Sequence, residues 1–159
     1  LKARDKVEEL QNEIDPRYAT ELEYNIRLEI SEVKRSQKEY GDALNKLENI
    51  LTEISSRNYR EKDIRAKCRY YYGKTYIENK EYEQAFHNFK EAKLLFSEIG
   101  KTRKVLDSIK LKIHTLLALG RVERAVEMCN EYDRVINDSS ISNLEQHNKF
   151  HKLVEDIHN

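Results

Sequence analysis

The sequence predicts an all-α fold, a solenoid of antiparallel helix pairs. Three observations carry this reading. Only four Gly and one Pro occur in 159 residues. Together they are about 3% of the chain, against roughly 12% in average usage. An all-β domain needs frequent turns, and turns draw on Gly, Pro, Asn and Asp. The apolar residues recur with helical period almost throughout. A small residue then returns at a fixed interval: Ala3, Ala43, Ala85 and Ala125 are 40, 42 and 40 residues apart.

The elements follow in chain order. Residues 1–14 carry Ala3, Val7, Leu10 and Ile14. Asp15-Pro16 is an N-cap followed by Pro at the first helical position, where a missing N–H costs nothing. Residues 17–38 then carry Ala19, Leu22, Ile26, Ile30 and Val33 as an apolar stripe. Residues 40–56 carry Tyr40, Ala43, Leu44, Leu47, Ile50, Leu51 and Ile54. Residues 61–78 carry Ile64, Cys68, Tyr71, Tyr72 and Tyr76. Residues 82–98 carry Tyr82, Ala85, Phe86, Phe89, Ala92 and Phe96. Gly100 and Gly120 stand where a helix ends in a left-handed residue. Between them, residues 103–118 carry Leu106, Ile109, Ile113, Leu116 and Leu117. Residues 121–137 carry Val122, Ala125, Val126, Cys129, Tyr132 and Ile136. Ser142 and Glu145 have capping-box spacing before a last helix over 143–158. About eight helices joined by tight turns result, and short turns make neighbours antiparallel.

Composition excludes several functions. Lys+Arg and Asp+Glu both number 29, so no net basic field favours nucleic acid. No run of about 18 apolar residues exists to span a membrane. Cys68 and Cys129 both lie on apolar stripes, which reads as buried free thiols in a reducing, cytoplasmic compartment. The chain starts at Leu1 and its only Met is Met128, so it reads as a piece of a longer array.

Catalytic and metal-binding patterns are absent or incomplete. Gly73-Lys74-Thr75 ends like a phosphate loop, but Cys68 replaces the first glycine and the tripeptide is mid-helix. His147 and His151 share a helix face without the HExxH signature, so no metal is expected. No nucleophile elbow occurs. The expectation is no enzyme and no cofactor.

The repeated alanines have company in register. Four residues on stand Val7, Leu47, Phe89 and Cys129; seven on stand Leu10, Ile50, Ala92 and Tyr132. Residues 66–99 add Tyr72, Gly73 and Tyr76 on the first helix and Tyr82, Ala85, Phe89 and Ala92 on the second. A mid-helix Gly costs about 1 kcal/mol against Ala, so Gly73 calls for a close helix approach. This pattern resembles the tetratricopeptide repeat (TPR), in a longer variant of about 40–42 residues. The units fall near 24–57, 66–99 and 106–139, within a single domain over 1–159. The flanking units are poorer, with Ser31 and Ile113 in the Gly column.

The resemblance implies a right-handed solenoid whose first helices line a concave groove for a partner peptide or helix. Transferring the groove columns gives Asn25, Leu28, Glu32 and Arg35, then Lys67, Tyr70, Lys74 and Ile77, then Asp107, Lys110, His114 and Leu117. The middle of that strip is basic and aromatic, suited to an acidic and apolar partner. A scaffold or adaptor for protein partners is the expected role. A peptide-sensing regulatory domain controlling an attached output domain is the alternative. Cut repeat ends would also allow self-association.

Overall fold

In the computed structural model, residues 16–54 and 59–139 are described, with Ala3, Asp5, Lys6, Lys152, Glu155 and Asp156. Among the described residues the chain is all-helical, with no strand. The helices are α1 (Pro16–Ser36), α2 (Tyr40–Glu53), α3 (Tyr59–Glu78), α4 (Tyr82–Glu98), α5 (Thr102–Ala118) and α6 (Val122–Asp138). These are six where about eight were expected. The two missing ones, over 1–14 and 143–158, lie outside the described residues apart from six positions, all helical. The capping-box reading at Ser142 lies outside them as well.

Four connections share one geometry. After α1, the Lys38 N–H bonds the Arg35 carbonyl at 2.9 Å and the Glu39 N–H bonds the Lys34 carbonyl at 3.0 Å. The same pair of bonds closes α3 (through Glu81 and Tyr76), α4 (through Lys101 and Phe96) and α5 (through Arg121 and Leu116). This Schellman pattern needs one left-handed residue per turn. Gly100 and Gly120 supply it at φ 73° and 74°, as the sequence predicts. Lys38 and Lys80 supply it at φ 63° and 60°, a conformation costly for a side chain with a Cβ.

Sequence neighbours pack against each other, and the first helices α1 and α3 also touch. One core cluster joins α1, α2 and α3 through Leu28, Leu47, Ile50, Ile64, Cys68 and Tyr72. A second joins α3 through α6 with Ala66, Phe96, Ile109, Ile113, Leu116, Cys129 and Tyr132. Ala43, Ala85 and Ala125 are wholly buried, which explains the repeat of small residues. Gly73 has the close contact its position demands. A Cβ added there would sit 2.5 Å from the Phe89 ring on α4.

Helix α1 corrects the sequence reading. Its buried residues are Leu28 and Ser31, both 1% exposed, while Ile30 and Val33 are 40% and 52% exposed. The Ser31 hydroxyl donates to the Ala43 carbonyl at 3.1 Å, so a polar residue faces α2. The predicted stripe is therefore the opposite face. Its equivalents in α3, 42 residues on, are Cys68, Tyr72 and Thr75, all buried. Tyr72 there reaches back to α2 and donates to Glu48 at 2.8 Å. In this register the stripe of α1 is the face that a preceding second helix would cover. The residues expected to supply one, 1–14, lie outside the described set apart from Ala3, Asp5 and Lys6.

Candidate partner-binding face

Contacts between the first helices α1, α3 and α5 run through several of the predicted groove residues: Asn25 meets Lys67, Arg35 meets Glu78, and Tyr70 meets Lys104. Lys67 donates to Asn25 at 3.1 Å, tying α3 to α1. Arg35 on α1 pairs with Glu32 one turn back and with Glu78 on α3. Asp63 is buried and held by two ammonium groups, Lys101 at 2.7 Å and Lys67 at 3.2 Å. A buried carboxylate is tolerable only with such partners. Asp63 and Lys101 were not picked out from sequence. Their roles depend on contacts 38 residues apart, which periodicity does not report.

Tyr70 stands at the centre. Its ring meets Phe89 and Phe96 edge-on, with centroids 5.8 and 6.3 Å away, and Tyr71 at 6.0 Å. Such T-shaped contacts anchor the ring. Two ammonium groups approach it, Lys104 at 5.2 Å and Lys74 at 5.7 Å from the centroid. Both distances lie within cation–π range. Burial pushes the Tyr70 hydroxyl up to about 12, reinforced by the carboxylates of Asp107 and Glu32 nearby. The phenol stays protonated at neutral pH and so keeps a hydrogen to donate. Tyr71 is likewise pushed up to about 12, mainly by burial.

The third unit is looser. Lys110 lies 5.6 Å from the Tyr132 ring centroid. His114 is exposed, and partial desolvation and Lys110 lower its pKa below 6.5. Leu117 packs on the second core cluster, and Ile77 is half-buried. Leu28 is the clear departure: it is a core residue and lines no surface. It packs in the core cluster shared by α1, α2 and α3.

Elsewhere the geometry offers little chemistry. Burial pushes the Cys68 thiol up to about 12 and the Cys129 thiol up to about 11, so neither is a thiolate at neutral pH. Both are free and buried. Among the described residues no three His, Cys, Asp or Glu side chains gather as metal ligands. His147, His151 and His158 lie outside those residues. A cleft of about 210 Å³ near Tyr24 and Ile64 is edged by groups already paired, Arg60 with Glu21 at 3.3 Å among them. No described helix is long and apolar enough to cross a membrane.

No family model and no curated protein matches the chain. Among solved structures it is similar to a TPR-like protein from Chlorobium tepidum, with a TM-score of 0.61 at 12% identity. The match covers 84% of this chain and 90% of that one. At that identity the likeness concerns the fold, and the chain has a TPR-like helical-repeat fold.

Proposed function

We propose that the chain is a protein-interaction segment, a scaffold or adaptor that holds an extended peptide or a helix of a partner against α1, α3 and α5. One observation carries the reading. Side chains of three successive first helices converge on one face, with an aromatic centre at Tyr70 and charges on both sides. Solenoids use such faces for binding, and Tyr is a favoured interface residue. The TPR-like fold supports protein partners as the class of ligand. The two free thiols suit a reducing, cytoplasmic setting.

The test is affinity capture with this chain as bait, beside two charge-reversed forms. One carries Lys74→Glu and Lys110→Glu on the first helices, leaving Lys67 to hold Asp63. The other carries Lys90→Glu on α4, at an exposed position. A partner lost only with the first form supports the reading. A partner that both forms retain places the binding surface elsewhere.

A further inference from the structure

The cations of this face are not equivalent. Lys67 and Lys101 share Asp63. Arg35 is held by Glu32 and Glu78. Lys74 and Lys104 differ: among the described residues neither has a carboxylate within ion-pair distance, and each rests on the same ring of Tyr70. The two come from different helices, α3 and α5, so a ligand that meets both touches two repeats at once. Glu32 lies near the Tyr70 hydroxyl but is neutralised by Arg35. Asp107 is the other carboxylate that acts on that hydroxyl, beside the two ammonium groups on the ring.

We infer that Lys74, Tyr70 and Lys104 form the anchoring subsite of the face and that its ligand is an Asp or Glu side chain within a partner segment. The inference rests on the proposed groove function. Two ammonium groups held on a ring, with no carboxylate at ion-pair distance among the described residues, lose little hydration when a carboxylate docks against them. The Tyr70 hydroxyl, still protonated, offers a further donor. Residues flanking the acid would lie on Tyr71 on one side and toward Lys110 on the other. Lys104 was absent from the positions predicted from sequence. Its contact with Tyr70 singles it out.

The experiment is selection of 12-residue peptides from a random displayed library on the whole chain, with sequencing of the enriched pool. A parallel selection uses the Lys74→Glu, Lys104→Glu double variant, and a third uses Lys90→Glu. Melts by circular dichroism establish folding. Lys74→Met and Lys104→Met replace the reversals if those fail to fold. The expected result is an acidic residue enriched at one position on the parent chain and on Lys90→Glu. The reversal should exchange it for Lys or Arg, and the Met forms should lose the preference. Individual selected peptides should bind each single Lys→Met variant roughly 5-fold more weakly, the scale of a half-exposed ion pair. Peptides enriched without acidic preference, or with a preference the lysine variants leave intact, overturn the anchor while leaving the groove standing. A pool no richer than that from blank resin overturns both.

Discussion

Gly73 is the residue on which the register turns. Its missing side chain lets the Phe89 ring lie where a Cβ would be, 2.5 Å away. Gly73→Leu should separate α3 from α4 and cost about 3 kcal/mol. In a chain of this size that lowers Tm by roughly 6–12 °C. The smaller Gly73→Ala should couple to Phe89→Leu, the double variant being more stable than the sum of the two single losses. A thermal melt of the four forms measures this. The other units show the same exchange of volume. Ser31 stands in register with Leu47, and Ile113 with Cys129, so a larger residue in the first column goes with a smaller one in the second. That is why the Gly column was hard to see outside the central unit. Lys38 and Lys80 were invisible for a related reason. They occupy left-handed positions for which sequence offers no signal except Gly or Asn. Lys38→Gly and Lys80→Gly should each raise stability by about 1 kcal/mol, read from urea unfolding.

At the scale of elements, the helices were legible because amphipathic period and stop signals agree. The α4 span was read to the residue, and the others to within three residues at either end. The facing of α1 was not legible. Periodicity finds an apolar stripe but does not say which neighbour it meets. The stripe through Ile26, Ile30 and Val33 is the stronger one, yet Leu28 and the polar Ser31 make the described packing. Leu28→Ala should therefore cost about 3 kcal/mol, while Val33→Thr should change stability by less than about 0.5 kcal/mol. Equal losses in urea unfolding would restore the face predicted from sequence. Of the groove columns, the one through Leu28 falls on a core residue, whereas Tyr70 and Lys110 in the same column are only partly buried. What sequence could not give there is pairing. Lys67 and Lys74 look alike in the sequence, yet among the described residues only Lys67 has an ion-pair partner, Asp63.

The whole molecule has a predictable response to pH. Burial raises Cys68 from 9.0 to about 12, and Tyr70 and Tyr71 from 10.0 to about 12. Between the unfolded and folded values the unfolded chain has released protons that the native chain still holds. Stability then falls with rising pH. Burial lowers Lys112, whose contribution runs the opposite way above its folded pKa, but it is one group against eight thiols and phenols raised by burial. The Tm should be flat near neutrality and fall steeply between pH 9 and 12. A melt series across that range checks it. The central claim is that a partner lies along the first helices. The most direct measurement is the amide spectrum of the labelled chain titrated with a peptide from the selection. Shifts should concentrate on α1, α3 and α5 around Asn25, Lys67, Tyr70, Lys74, Lys104 and Lys110, with α2, α4 and α6 quiet on their outer faces. Shifts confined to those second helices, with Tyr70 and Lys74 unmoved, would contradict it.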